Sequence, residues 1–252
     1  MGVVAGANIN DTGLVFSLDA ANFRSYSGSG LTSNGLVGGI GGTLFNGVGF
    51  GSTNGGYFIF DGSNDYIESP HSEVLNISES ITVEVWVYLT SLSNSNDMCL
   101  IAKYSNAGGA ANQSWILFKS TTNYTSLSPN ATGGNNEFVW LASSGGNVSG
   151  TFVGTGEQVQ VNTWYNVTAL YNSSNEKIEI YINGQLKSST TRTGQTSGVL
   201  QTNTRNLSIG STPADGTRYI QGRISSAKIY NRALTAQEIK QNYNATKKRY
   251  GL

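Results

Sequence analysis

The stretch Ile81–Leu89 reads ITVEVWVYL and carries the strongest periodic pattern in the chain. Its five odd-numbered positions are aliphatic, whereas the even-numbered ones are Thr, Glu, Trp and Tyr. A period of two places these two sets on opposite faces of a β-strand. Lys177–Ile182 alternates in the same way, with three isoleucines facing inward, and runs into Asn183-Gly184. Because that dipeptide tolerates two positive φ angles, it predicts a type I′ hairpin into Gln185–Lys187.

Short runs of β-branched and aromatic residues, separated by Gly, Ser and Asn, predict further strands along most of the chain. They are Leu14–Ala20, Gly56–Asp61, Asp65–Ser69, Met98–Tyr104, Ser114–Lys119, Glu137–Ala142, Trp164–Tyr171, Asn206–Gly210 and Tyr219–Asn231. In the last run the apolar alternation slips between Ile224 and Ala227, which predicts a β-bulge. Many short strands at this spacing predict an all-β fold, a two-sheet antiparallel jelly-roll sandwich.

One short C-terminal helix completes the predicted fold. Thr235 and Glu238 have the spacing of a capping box, and the helix is predicted to run to about Tyr243. Ile239 and Tyr243 then lie on one helix face and are predicted to pack on the sandwich. The basic run Lys247–Arg249 is interpreted as a solvated terminus, with contact to an acidic partner as the alternative. Residues 1–12 are predicted to form a flexible arm and residues 13–252 a single jelly-roll domain.

Composition excludes several classes of function. The 15 Lys and Arg balance the 15 Asp and Glu, and a nucleic-acid binder would show a clustered basic excess. The chain lacks both the basic start of a signal peptide and an apolar run long enough for membrane insertion, so we expect synthesis in a cytoplasm. A single cysteine and a single histidine exclude an intramolecular disulfide, a Cys-based zinc cluster and multi-imidazole sites. Cys99 is predicted to be a core residue and His71 a surface loop residue.

Two candidate binding features remain. Residues Asp61–Asp65 read DGSND and offer several oxygen ligands that Ca²⁺ would accept, although the same residues favour a tight turn. We therefore predict no cofactor and keep Ca²⁺ as the alternative. Sugar binding needs an aromatic face and amide side chains, and the predicted carbohydrate-binding residues are Trp115, Tyr124, Asn135, Asn136 and Trp140. The tryptophans occupy strand positions, so core packing is the alternative for each of them.

Several segments together resemble the laminin-G-like/concanavalin A-like lectin-glucanase jelly-roll family. They are residues 60–66 (FDGSNDY), 81–87 (ITVEVWV), 164–167 (WYNV), 180–184 (IYING), 222–224 (GRI) and 229–235 (IYNRALT). Their order and spacing carry the resemblance, which implies a sandwich that binds rather than catalyses, with loops at one rim available for glycans or Ca²⁺. The chain departs from the family between residues 28 and 50, where it has a Gly/Leu/Val run. The two ends, Leu14–Asn22 and Tyr243–Leu252, resemble the ends of tailed-phage virion proteins that bear this domain.

No catalytic pattern accompanies this resemblance. Glycoside cleavage usually needs two carboxylates about 5–9.5 Å apart, and glucanases of this fold carry them as Glu-x-Asp-x-x-Glu on one strand. That pattern is absent, and Glu84 stands alone on its strand. No Gly-x-Ser-x-Gly elbow is present to pair with His71. The chain is therefore predicted not to be an enzyme.

The function predicted from these features is a non-enzymatic phage virion surface protein, either a capsid decoration or a tail-associated part. Its expected partners are other virion proteins, copies of itself and host-surface glycans, and its expected location is the virion. The alternative is a dedicated carbohydrate-binding lectin. A polysaccharide-cleaving enzyme is the third hypothesis. The sandwich itself does not separate them, because one fold serves many functions.

Overall fold

Two antiparallel β-sheets pack face to face in the computed structural model, which describes residues 8–92, 96–123, 135–143, 150–192 and 198–252. The strands are β1 (Leu14–Asp19), β2 (Thr32–Ser33), β3 (Gly42–Phe45), β4 (Gly49–Gly51), β5 (Tyr57–Asp61), β6 (Tyr66–Ser69), β7 (Ile81–Leu89), β8 (Met98–Tyr104), β9 (Gln113–Lys119), β10 (Phe138–Ala142), β11 (Thr151–Gly154), β12 (Trp164–Asn172), β13 (Lys177–Ile182), β14 (Gln185–Thr191), β15 (Leu207–Ile209) and β16 (Gln221–Tyr230). The first sheet has the order β14-β13-β12-β7-β16-β5-β4, with β1 also paired to β16. The second sheet has the order β11-β10-β9-β8-β15-β6-β3-β2. The predicted jelly-roll sandwich is confirmed.

The main core lies between the two sheets. The alternating aliphatic residues of β7, represented by Val83 and Val85, are fully buried there, as the period of two predicts. Trp115 and Trp140 of the second sheet belong to the same apolar cluster. Both sheets therefore contribute β-branched and aromatic side chains to the core.

Local turn chemistry agrees with the sequence at two places. Asn183 and Gly184 have φ angles of 53° and 75°, so the β13–β14 hairpin has the predicted positive-φ turn. The pairing of β16 with β7 shifts register between Ile224 and Ser226, where the bulge was expected. Both predictions are confirmed because the features depend on neighbouring residues alone.

Helix α1 (Ala236–Thr246) covers the outer face of the first sheet. Its capping box is formed in both directions between Thr235 and Glu238, and Ile239 is fully buried. The Tyr243 ring stacks on Trp86 with centroids 5.9 Å apart. This cover explains why Thr82, Glu84 and Trp86, on the outward face of β7, are also buried. No helix in the described part of the chain combines the length and the apolar character needed to cross a membrane.

Both ends of the described chain are hydrogen bonded to the sandwich, which corrects the expectation of a solvated basic terminus. Arg249, predicted to lie in a solvated basic terminus, is paired with Asp19 at 2.8 Å, and Tyr250 beside it is buried. Asn10, predicted to lie in a flexible arm, receives a hydrogen bond from Tyr230 through its backbone carbonyl and donates through its side chain to Glu238. The local sequence around each end could not predict these contacts, because the two residues of each pair lie about 230 positions apart in the chain.

Four strands were not predicted, namely β2, β3, β4 and β11. The first three lie in the glycine-rich stretch, which lacks the side-chain alternation that identifies a strand. Glycine is needed at one of these positions for close packing, because a Cβ at Gly42 would lie 2.6 Å from the Ile67 side chain. The Gly/Leu/Val run and the residues next to it therefore supply an edge strand to each sheet, β2 in the second and β4 in the first.

Candidate functional site

One row of outward-facing residues crosses seven strands of the second sheet. Each residue is the direct partner of the next, in the order Thr43, Glu68, Ser208, Ala102, Ile116, Leu141 and Phe152. At roughly 4.8 Å per strand this row spans roughly 30 Å. One half is polar and the other half is apolar. Tyr104 lies on the same face where the two halves meet.

A polar cleft opens beside this row, and we call it the Asp97–Arg218 cleft. It has a volume of about 320 Å³ and is lined by Asn96, Asp97, Asn106, Thr121, Thr122, Thr217 and Arg218. Asp97 immediately precedes β8, Thr121 follows β9, and Arg218 precedes β16. The ends of three strands therefore position the polar groups, which is how a rigid sheet commonly presents a binding site on its loops.

Two further cavities continue from the cleft: the first shares residues with the cleft, and the second shares a residue with the first. An apolar cavity of about 60 Å³ is lined by Tyr104, Ile116, Phe118, Leu141 and Phe152, and it shares Asp97 and Arg218 with the cleft. A second polar cavity of about 160 Å³ is lined by Glu68, Arg205 and Ser208 among others. Because Tyr104 lines both the apolar cavity and this second polar one, the recessed surface continues along the face of the sheet.

Arg218 is held in place by several contacts. Its Nη1 donates to Asp215 Oδ2 at 3.0 Å and to Thr212 Oγ1 at 3.3 Å. The guanidinium lies 5.6 Å from the centre of the Tyr104 ring, within cation–π range. Its Nε is 4.0 Å from Asp97 Oδ2. These contacts fix the direction of the guanidinium before any ligand arrives.

Asp215 is a structural carboxylate behind the cleft. Its Oδ1 accepts hydrogen bonds from the Ser105 hydroxyl and from the backbone N–H groups of Asn106 and Ala107. Burial alone would raise the pKa of Asp215. The hydrogen bonds from Ser105 and the two backbone N–H groups, with the charge of Arg218, outweigh burial and hold that pKa below its usual value. Asp215 is therefore ionised near neutral pH and cannot supply a proton.

Asp97 is the carboxylate that lines the cleft. Its Oδ1 accepts from both the backbone N–H and the hydroxyl of Thr121, at 2.8 and 3.1 Å. A carboxylate offers about four lone-pair sites, so it can accept from a ligand in addition to these bonds. The cleft thus presents a fixed acceptor beside a fixed donor, together with amide and hydroxyl side chains.

The predicted carbohydrate-binding residues lie elsewhere. Trp115 and Trp140 have no exposed surface and pack in the core with ring centroids 5.7 Å apart, so neither presents a face to a ligand. Their strand positions point inward, whereas their neighbours Ile116 and Leu141 point outward. For both tryptophans this placement agrees with the alternative of core packing. It contradicts a role as a surface platform.

The remaining members of that set are not brought to the cleft. Asn135 is exposed and Asn136 is half-buried with a φ of 59°, and neither lines the Asp97–Arg218 cleft or the apolar cavity. Tyr124 lies outside the described residues. The predicted set therefore does not form one surface among the residues that the structure describes.

The Asp61–Asp65 segment forms a tight turn. Asp61 Oδ1 accepts from the backbone N–H groups of Ser63 and Asn64, and Asp65 Oδ2 accepts from the backbone of Asp61. Gly62 has a φ of 84°, as such a turn requires. Across the described ranges no group of three or more His, Cys, Asp or Glu side chains is arranged to hold a metal ion. Calcium binding at this turn stays the alternative to the prediction of no cofactor.

The single cysteine and the single histidine have contrasting surroundings. Cys99 is fully buried, as predicted, and burial raises the pKa of its thiol. His71 is half-buried, with Nε2 3.1 Å from Glu73 and Nδ1 3.2 Å from the Lys103 ammonium. Lys103 also donates to the carbonyl of Arg205 at 2.9 Å. Lys103 thereby ties the histidine loop to the loop before β15.

Lys103 leads to a testable pH dependence. Burial lowers the pKa of Lys103 from 10.5 to about 8. Between these two values the unfolded chain binds more protons than the folded one, so the stability contribution of Lys103 rises with pH. Relative to Lys103→Met, we expect the wild-type free energy of unfolding to increase by roughly 1 kcal/mol per pH unit across this window. Urea unfolding of both proteins at several pH values measures the difference, and parallel curves would contradict the prediction.

Comparisons with known proteins agree with the fold. A family model described as the concanavalin A-like lectin/glucanases superfamily matches residues 61–240. One similar structure is domain 4 of the extracellular GH43 arabinanase AbnA from Geobacillus stearothermophilus, solved in complex with arabinotriose. It is 17% identical in sequence, with a TM-score of 0.64, and the match covers 91% of this chain and 98% of that domain. No curated protein matches the sequence.

Two longer proteins contain a similar sandwich. The ligand-binding domain of botulinum neurotoxin serotype D, solved with N-acetylneuraminic acid, is 16% identical with a TM-score of 0.67, and 93% of this chain covers 51% of it. Trypanosoma rangeli sialidase, solved with sialic acid, is 16% identical with a TM-score of 0.64, and 99% of this chain covers 35% of it. This chain therefore spans about half of the toxin domain and about a third of the sialidase.

Proposed function

We propose that this chain, which belongs to the concanavalin A-like lectin/glucanases superfamily, is a non-catalytic module that binds a glycan in the Asp97–Arg218 cleft. The observation that carries the proposal is the cleft itself, in which a carboxylate, a guanidinium and several amide and hydroxyl groups surround about 320 Å³ beside an aromatic ring. Sugars need this combination, because their hydroxyl groups both donate and accept hydrogen bonds while their C–H faces pack on apolar surface. Small-molecule sites in general combine these elements.

The similar structures support the class of ligand. Two of them, the arabinanase domain and the toxin domain, were solved with arabinotriose and N-acetylneuraminic acid. Both ligands are saccharides. The continuation of the recessed surface past Tyr104 suits an oligosaccharide rather than a single sugar unit.

The charges at the cleft favour binding over cleavage. Glycoside hydrolysis generally needs one carboxylic acid with a raised pKa and a second carboxylate across the scissile bond. Asp215 has a lowered pKa and its oxygens are engaged by Ser105, two backbone N–H groups and Arg218. Among the described residues that line the cleft, Asp97 is then the one carboxylate. An assay for new reducing ends with the bound polysaccharide tests this part of the proposal, and steady release would contradict it.

The surface of a phage virion, on a capsid or a tail, is the setting we propose for this binding. This setting is supported by the resemblance of the segments Leu14–Asn22 and Tyr243–Leu252 to the ends of tailed-phage virion proteins. Those ends also have a role in the fold, because Asp19 pairs with Arg249 and Tyr250 packs on Trp86. The setting is tested by comparing virions made with and without the gene, and particles of unchanged composition would contradict it.

The binding proposal is tested with a glycan array followed by calorimetry. The variant Asp97→Asn keeps an acceptor for Thr121 but removes the negative charge. Because a hydrogen bond to a charged group contributes roughly 1.5–3 kcal/mol, we expect the affinity for the sugars that bind to fall by about tenfold or more. Glu157→Gln is the matched control, because Glu157 pairs with Lys187 at 2.7 Å and does not line the cleft. Absence of binding to every sugar class, or equal loss in both variants, would contradict the proposal.

A further inference from the structure

The apolar cavity lies next to the polar cleft and is suited to a small apolar group. Its volume of about 60 Å³ is several times the roughly 10–15 Å³ that a single water needs. Ile116, Phe118 and Leu141 are at most 4% exposed, whereas Phe152 at the edge is half-buried. The polar groups of the cavity, Asp97, Tyr104 and Arg218, belong to its lining as well, but the side chains of Ile116, Phe118 and Leu141 offer water no hydrogen-bond partner, so an apolar substituent of a few atoms is the better occupant of that part.

The residues shared by the cavity and the cleft are polar and oppositely charged. Asp97 Oδ2 and Arg218 Nε are 4.0 Å apart, which is longer than a hydrogen bond. A carboxylate accepts and a guanidinium donates, so the pair offers both functions side by side. A group with an N–H, a carbonyl oxygen and a methyl would match the acceptor, the donor and the cavity together.

From these two observations we infer that the cleft selects N-acetylated hexosamines, with the acetamido methyl in the apolar cavity and its amide between Asp97 and Arg218. The inference rests on the proposed glycan binding and names its ligand class. An acidic sugar fits less well, because Arg218 already faces Asp215 at 3.0 Å and Asp97 at 4.0 Å. The carboxylate of such a sugar would therefore approach two negative charges.

The test compares matched neutral oligosaccharides with and without the acetamido group, such as chitotriose against cellotriose, by calorimetry. A small apolar group in a fitting pocket changes affinity by about 10–200-fold, so we expect the acetylated sugar to bind at least tenfold more tightly. Phe152→Trp adds volume at the half-exposed edge of the cavity. It is expected to abolish the preference for chitotriose, so that the two trisaccharides bind with equal affinity. Phe50→Trp, at a half-buried position that lines neither cavity, is the control.

A second readout needs no variant. Chitotriose carrying N-trifluoroacetyl groups is expected to give a ¹⁹F signal that is protected from a paramagnetic solvent probe when the sugar is bound. Equal affinity for the two trisaccharides, a preference that survives Phe152→Trp, or an unprotected ¹⁹F signal would overturn the inference and leave glycan binding standing. Failure of every glycan to bind would instead overturn the proposed function itself.

Discussion

Lys228→Ala is expected to lower the free energy of unfolding by about 3–5 kcal/mol, because it leaves the Glu84 carboxylate buried without its cation. The two side chains are joined at 2.7 Å and are 5% and 0% exposed. Glu84 also accepts from Asn242 Nδ2 of helix α1 at 3.1 Å. Burial alone would lower the pKa of Lys228, but the charge and hydrogen bond of Glu84 outweigh it and raise that pKa.

The control for this prediction removes both charges together. Glu84→Gln combined with Lys228→Met keeps an acceptor for Asn242 and leaves no buried ion. We therefore expect the free energy of unfolding of the double variant to lie within about 1.5 kcal/mol of the wild-type value. Urea unfolding followed by tryptophan fluorescence measures all three proteins. A single variant as stable as the double one would contradict the role assigned to the ion pair.

Tyr250→Ala is expected to cost about 3 kcal/mol or more, in the range found when a buried aromatic side chain is truncated. The Tyr250 ring is 6% exposed and stacks on Trp86 at 3.9 Å and against Trp164 at 4.8 Å between centroids. Its hydroxyl donates to Ser225 Oγ at 2.9 Å. The residue thus closes an aromatic cluster on the outer face of the first sheet, two residues before the end of the sequence.

Two matched variants separate the contribution of the Tyr250 ring from that of its hydroxyl and from the rest of the C-terminal segment. Tyr250→Phe keeps the ring and loses one hydrogen bond, for which we expect about 1 kcal/mol. Lys248→Ala changes a neighbouring side chain of the same terminal turn and is expected to have an effect within about 0.5 kcal/mol. Thermal unfolding checks the series. If Tyr250→Ala lowered the free energy of unfolding as little as Lys248→Ala does, the C-terminal segment would not be part of the folded unit.

Local patterns in the sequence predicted most strands, the hairpin turn, the bulge and the capping box, because neighbouring residues determine each of these features. The face of a strand was harder to predict when both faces are apolar. Residues 114–118 read SWILF without polar alternation, so the sequence could not show that Trp115 points inward and Ile116 outward. The assignment of the two tryptophans to a sugar-binding surface failed for this reason.

The cleft could not be predicted from any local motif. Asp97, Thr121 and Arg218 come from three separate loops, and only the arrangement of the strands in the two sheets brings them together. A single signal was present, namely Tyr104 as an aromatic residue with a polar hydroxyl at the end of strand β8. The ion pair of Glu84 could not be predicted from the sequence either. Glu84 stood alone on its strand in the sequence, and its buried partner Lys228 is supplied by the neighbouring strand β16.

The most direct test of the central claim is an amide NMR titration of the intact chain with the tightest-binding oligosaccharide from the array. We expect the largest shift changes to cluster at the cleft, around Asp97, Asn106, Thr121 and Arg218, with the outer face of the first sheet unaffected. Shift changes confined to that other face or to the Asp61–Asp65 turn, with the cleft signals unmoved, would contradict the account.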